Sequence, residues 1–288
     1  MSMAVALPLP HARTIARARR VLPGFGPTLG FTLAYLSALV LLPLAALVLR
    51  PWELGLAGVL ELLARPRVLA GLRVSFTTAL LAALVNLPFG LATAWVLVRY
   101  RFPGRKLFDA LIDLPFALPT AVAGIALSSI YAPGGWLGGP LEAIGIKAAY
   151  SPTGIFIALT FIGLPFVVRT LEPVLRDLGP EIEEAAATLG AGRGQTLLRV
   201  VLPPLLPALL AGFSLAFGRA VGEYGSVIFI AGNIPGVSEI APLLIVAQLE
   251  QYNYAGAAAI GLAMLLVSLA VLLVLSVVQQ RLALRGRA

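Results

Sequence analysis

The stretch Pro180-Glu181-Ile182-Glu183-Glu184-Ala185-Ala186-Ala187-Thr188-Leu189-Gly190-Ala191-Gly192-Arg193-Gly194-Gln195-Thr196-Leu197-Leu198-Arg199-Val200-Val201-Leu202-Pro203 is a soluble-looking segment in an otherwise apolar chain. Its first half predicts a short amphipathic helix. Pro180 suits the first helical position, where a missing N–H leaves no bond unmade. Glu181, Glu183 and Glu184 fall in the opening turns, where the helix dipole favours carboxylates. Ile182, Ala185, Ala186 and Leu189 follow the i, i+3, i+4, i+7 spacing of one apolar stripe. Gly190 ends the helix, and Gly192 and Gly194 keep the next turn open. A helix of about ten residues is marginal in water. The stripe therefore needs a surface, either this chain's own helix ends or a partner protein.

On both sides of this segment lie long runs without a charged residue. Residues 29–49 give 21, 74–98 give 25, 114–141 give 28, 148–168 give 21, 200–218 give 19 and 251–280 give 30. About 20 apolar residues cross the hydrocarbon core of a bilayer as a helix. The third run should end near Tyr131, because residues 132–141 are rich in Gly and Pro. The fifth should continue through Arg219 and Glu223 towards Ile230, and the sixth should span 257–278. The expected fold class is an all-α integral membrane protein with six transmembrane helices. Its expected parts are a basic tail (1–28), a first transmembrane helix and outer loop (29–67), a main membrane domain (68–278) and a short second tail (279–288). The first run is too long for the apolar part of a signal peptide, so it reads as an uncleaved anchor.

Composition agrees. Only 12% of the 288 residues are charged, about half the usual share, and 59% are apolar, with a mean hydropathy of +0.96. So few charges cannot cover a soluble surface, which excludes a cytosolic enzyme, and so much apolar surface excludes a disordered chain. The net charge of +8 does not indicate nucleic acid, because its placement follows the loops. Fifteen Lys and Arg fall on the side of the two tails and the second and fourth connections; five fall on the other side. The positive-inside rule then puts both termini in the cytoplasm. There is no Cys, and the one His, His11, lies in the N-terminal tail, so cysteine and histidine chemistry and His-cluster metal sites are excluded within the membrane. Neither Lys106 nor Lys147 sits in a phosphate-cradling GxxxxGK[ST] loop, so any ATP must be bound by another chain.

The segment opened on carries a long fixed spacing: Glu184-Ala185-Ala186, three residues, Gly190, nine residues, Val200, one residue, Leu202-Pro203. This resembles the EAA loop of the permease subunits of bacterial ABC importers, with Val200 in place of Ile as the one departure. The resemblance implies the type I (MetI-like) permease fold and a coupling helix that docks into a groove on a separate ATPase subunit. Two copies of that subunit would carry ATP and Mg, and this chain would bind no cofactor and hold no catalytic residue. Glu184 is then the expected docking contact, Ala185 and Ala186 allow close approach, and Gly190 allows the turn. Residues 222–235 (Gly222-Glu223-Tyr224-Gly225 through Gly232-Asn233-Ile234-Pro235), with 239–243 and 249–257, are similar to sulfate/thiosulfate permeases of the T type. That resemblance implies a W-type second permease subunit and an extracytoplasmic sulfate-binding protein as partners. Molybdate permeases share the GE[YF]G and GN-x-P elements, so molybdate is the alternative substrate.

A dianion cannot cross an apolar path, since desolvating even one charge costs several kcal/mol. The candidate pathway residues are Arg219, Glu223 and Asn86. Arg219 and Glu223, four apart, are expected on one side of a helix. They are either a neutralising pair or an anion contact released on opening. Asn86 must find partners when buried. Asp109 and Asp113 lie one helical turn apart, close in sequence to Arg105 and Lys106, as an interfacial pair or a carboxylate dyad. Pro43, Pro88, Pro115, Pro119, Pro165 and Pro207 should each kink a span, and the turn 232–235 marks either a break at the outer gate or the end of the fifth span. An ion-coupled secondary transporter would want more acidic residues in the spans than Glu223 alone.

Overall fold

The computed structural model describes residues 25–285, with residues 1–24 of the expected N-terminal tail and the last three residues outside that range. Among the described residues the structure is helical and contains no strand. Helix α1 is Phe25–Leu49; a 3₁₀ turn, Arg50–Leu54, leads to α2, Gly55–Ala64, and then α3, Pro66–Arg99. Short helices α4 (Arg105–Ile112), α5 (Leu114–Ala117), α6 (Thr120–Tyr131) and α7 (Gly138–Ala143) precede α8, Pro152–Asp177. Helix α9, Glu181–Thr188, is followed by α10, Arg193–Gln195, and a π-helical turn, Thr196–Val201, that runs into α11, Leu202–Val221. The chain ends with α12 (Val227–Ile230), α13 (Ala241–Glu250) and α14 (Tyr254–Arg285). It divides into two compact units between Ala46 and Leu47. Helix α1, which crosses that division, buries none of its residues.

Five helical stretches are long and apolar enough to cross a membrane: Phe25–Ala64, Pro66–Arg99, Pro152–Asp177, Arg193–Val221 and Tyr254–Arg281. The third expected run is the exception, because it is cut into α5 and α6, with α4 just before it. Pro119 forces Leu118 out of the helical region, to φ −82°, ψ 135°, and α6 restarts at Thr120. By contrast the helices run on through Pro43, Pro88, Pro165 and Pro207. The fifth expected run also differs: α11 ends at Val221, and a non-helical segment, 222–226, separates it from α12. Helix α8 starts at Pro152 rather than 148, since proline holds Ser151 extended at φ −153°, and it continues past Val168 to Asp177. Its charged extension is accommodated by pairing. Arg169 bonds Asp113 at 2.8 and 2.6 Å, Asp109 at 2.7 Å and Glu172 at 3.0 Å. Asp109 and Asp113 are thus joined by an arginine of α8 rather than by their sequence neighbours Arg105 and Lys106.

The core of the second unit is the triad α3, α8 and α11. Lipid supplies no hydrophobic drive between helices, so close packing must hold them, and small residues allow it. Ala79, Ala82, Ala83 and Ala94 of α3, Ala158 of α8 and Ala216 of α11 are all buried. Glycines permit the closest approaches: a Cβ at Gly90 would lie 2.5 Å from Val167 Cγ1, and one at Gly212 would lie 3.1 Å from the Val167 Cα. At one end of α3, Arg67 forms a two-pronged bond to Glu239 at 2.7 and 2.6 Å. Arg99 ends the same helix, so the α9 region and the residues around Glu239 sit at opposite ends of the triad.

Candidate functional site

Two groups of residues carry the functional expectation. The first is the α9 loop. Pro180 precedes α9 rather than opening it, and its carbonyl accepts the Glu183 and Glu184 N–H groups at 3.0 and 3.1 Å. The helix closes as the glycine requires: Gly190 has φ +81°, and the Ala191 N–H bonds the Ala186 carbonyl at 3.0 Å. Around the helix the expected single stripe divides. Ala186 is buried and Ile182 half-buried, so that side packs inward; Ala185 is exposed and Leu189 is 88% exposed. Leu189 falls after the last helical residue, so the helical period no longer directs it. The Glu184 carboxylate is exposed and has no ion-pair or hydrogen-bond partner among the described residues. The outward surface is therefore an unpaired carboxylate beside Ala185 and a bare leucine. Further along, Val200 and Leu202 are half-buried and Pro203 is exposed, while Val201 between them is fully buried. Pro203 and Pro204 lack the N–H groups that would continue an α-helical ladder, and the chain there widens into the π turn.

The second group is at the break after α11. Arg219 Nη1 bonds Glu223 Oε2, so the pair exists, but not through helical spacing, since Glu223 lies beyond the end of α11. Glu223 is almost wholly buried, and its other oxygen accepts the Ser226 N–H and Oγ–H, both at 2.9 Å. The carboxylate is thus anchored by the backbone of its own turn, whereas the Arg219 side chain is 35% exposed. The break rests on the first turn of α6: a Cβ at Gly225 would lie 2.2 Å from Thr120 Oγ1, and one at Gly124 would lie 2.3 Å from the Ser226 carbonyl oxygen. Two interrupted spans therefore meet beside Arg219. The turn 232–235 follows α12, so the span has already broken before it.

Asn86 is set apart from that pair. It is fully buried on α3 against α8, and neither its Oδ1 nor its Nδ2 has a hydrogen-bond partner among the described residues. Gly163 makes room for it, since a Cβ there would lie 2.4 Å from Nδ2. No hydrogen bond joins Asn86 to Arg219 or Glu223 among the described residues. Sequence reasoning missed Arg99, which bonds Glu183 of α9 at 2.8 Å, because an arginine ending an apolar span looks like an ordinary loop cation. Thr120 is one of several polar residues in the spans, and nothing local marks its close contact with Gly225.

A helical membrane protein with a short polar helix between its fourth and fifth apolar runs matches a known class of importer component. Residues 86–285 match the family model described as binding-protein-dependent transport system inner membrane component, and the chain belongs to that family. It is 48% identical over 263 residues to the sulfate transport system permease protein CysT of Escherichia coli, covering 91% of this chain and 95% of that protein. It is 50% identical over 249 residues to the CysT protein of Synechocystis, covering 86% of this chain and 87% of that one. Among solved structures, a bacterial alginate ABC transporter in complex with an alginate pentasaccharide-bound periplasmic protein has a chain that aligns at a TM-score of 0.73 and 18% identity. That alignment covers 89% of this chain and 93% of the other, and it supports the fold alone. The chain is therefore an inner-membrane permease component of an ABC importer, and the permease fold inferred from the EAA spacing is the fold observed.

Proposed function

We propose that this permease carries sulfate, and with it thiosulfate, across the bacterial inner membrane. The observation that supports this best is its 48% identity over nearly its whole length to the CysT sulfate permease. Energy enters through α9. Its exposed face of Glu184, Ala185 and Leu189 seats in a groove on an ATPase subunit, one of two that bind ATP and Mg. Ala186 holds the inner face against this chain, and the π turn containing Val200 leads into Leu202 and Pro203 at the start of α11. Both termini face the cytoplasm, and an extracytoplasmic sulfate-binding protein and a W-type second permease complete the assembly.

Inside the membrane, Arg219 is the anion contact. Glu223 keeps two hydrogen bonds from Ser226 when Arg219 leaves it, which offset part of the cost of an unpaired buried carboxylate. Asn86 contributes amide groups to the pathway when the triad loosens. The test is uptake of radiolabelled sulfate by the assembled transporter in proteoliposomes, with thiosulfate and molybdate as competitors. Sulfate uptake blocked by thiosulfate supports the proposal. Molybdate uptake without sulfate uptake refutes it in favour of a molybdate permease.

A further inference from the structure

Helix α9 has few ways to move the membrane helices. Its backbone link to α8 is the three residues Leu178, Gly179 and Pro180, with Gly179 at φ +60°. A link of that kind can swing without pulling. One side chain bridges it. Arg99, the last residue of α3, donates from Nε to Glu183 Oε1 at 2.8 Å, from Nη1 to the Leu175 carbonyl at 3.0 Å and from Nη2 to the Gly179 carbonyl at 2.9 Å.

Each part of this arrangement has a physical reason. The last carbonyls of a helix lack internal partners, and Leu175 belongs to the last turn of α8. The negative end of that helix dipole and the Glu183 carboxylate both favour a cation between them. Guanidinium is planar, with donors in a fixed fork, so it can serve three acceptors on two elements at once; an ammonium cannot match that geometry. Arg99 also lies over the Trp95 ring, 5.7 Å from its centre, which fixes its approach from one turn earlier on α3. The Arg99 and Glu183 side chains are only 12% and 24% exposed, so this pair is shielded from the screening that weakens surface ion pairs.

We propose that Arg99 is the joint of the transmission: a positioning residue that fastens the start of the coupling helix to the ends of both α3 and α8, so that a displacement of α9 is delivered to the core triad as a unit. The consequence is specific. Helix α3 is held at its other end by the Arg67–Glu239 pair and packs along α8 through Gly90, so it acts as a strut. A push delivered at Arg99 tilts that strut. Without Arg99 the same push bends the chain at Gly179.

The inference rests on α9 being the docking element, and its test separates the two ideas. The reconstituted transporter is assayed for substrate-stimulated ATP hydrolysis and for uptake, and sulfate moved per ATP is the readout. Glu183→Gln keeps the side chain's shape and removes its charge; Arg99→Lys keeps the charge and removes the fork. Both should lower transport per ATP by about fivefold or more, the range of ordinary coupling energies, while the ATPase still co-purifies. The pair Arg99→Lys with Glu183→Gln should be no worse than the weaker single variant, since both remove one joint. If both single variants yield less assembled complex yet move the same sulfate per ATP in what assembles, Arg99 is only structural and the proposal is overturned. The docking premise fails in a different way: Glu184 and Gly190 variants would then leave hydrolysis, uptake and their ratio all unchanged.

Discussion

Replacement of Gly190 offers a graded test of the coupling loop. The residue sits at φ +81°, and a Cβ there would meet nothing within 4 Å, so crowding contributes no penalty. What remains is backbone conformation. An ordinary L-residue in the left-handed region costs about 1–2 kcal/mol. Asparagine visits that region far more readily, and a β-branched residue fits it worst. If the backbone instead relaxes to negative φ, the Ala191 N–H loses the Ala186 carbonyl now held at 3.0 Å. That bond is worth about 0.5–1.5 kcal/mol. For valine the relaxed route costs about 1 kcal/mol and the strained one about 2 kcal/mol, a shift of about five- to thirtyfold in the ordered population. An eight-residue helix cannot absorb that alone, whereas the α3–α8–α11 core is untouched. Stimulated ATPase activity and uptake should therefore fall together in the order asparagine, alanine, valine, with asparagine close to the parent protein and the thermal midpoint of the permease unchanged. Full coupling by Gly190→Val would refute the reasoning. So would equal losses for asparagine and valine, which would mean that space, not conformation, is what the glycine provides.

Other variants probe the membrane interior. Gly163→Ala pushes a methyl to 2.4 Å from Asn86 Nδ2 and should destabilise by about 1–3 kcal/mol; adding Asn86→Ala should recover at least about 1 kcal/mol of it in detergent melts, and simple additivity would contradict the packing. Arg219→Gln should cut sulfate uptake about tenfold or more at unchanged assembly, in the range expected for losing a charge-assisted anion contact, and unchanged uptake removes Arg219 from the pathway. Asp113→Asn weakens two bonds to Arg169, at 2.8 and 2.6 Å, and should lower stability by about 1 kcal/mol, measured as a lower melting midpoint.

Much of the architecture was legible in the sequence because its causes are local. Charge-free runs report length against bilayer thickness, and the spacing from Glu184 to Pro203 reports a loop that must turn at Gly190. What was not legible depended on partners far along the chain. Arg99 meets Glu183 across 84 residues, Arg169 meets Asp113 across 56, and Arg67 meets Glu239 across 172. Each arginine was counted by sign and side, which sets orientation but not pairing. The prolines show the same limit. Pro88 and Pro119 look alike in a run of apolar residues, yet the helix continues through one and breaks at the other, where Leu118 turns extended and Thr120 starts a new helix against Gly225. The expected stripe on α9 failed at Leu189 because a periodic rule was carried one residue past the helix end.

The central claim is that α9 seats on an ATPase subunit in the cytoplasm. The chain contains no cysteine, so Ala185→Cys creates a single labelling site on the docking face and leaves the Glu184 carboxylate in place. In inside-out vesicles carrying the whole transporter, a membrane-impermeant maleimide should label Cys only after the ATPase is stripped away, and rebinding the ATPase should restore protection. Labelling from the outer face, or equal labelling with the ATPase bound and removed, would contradict the account.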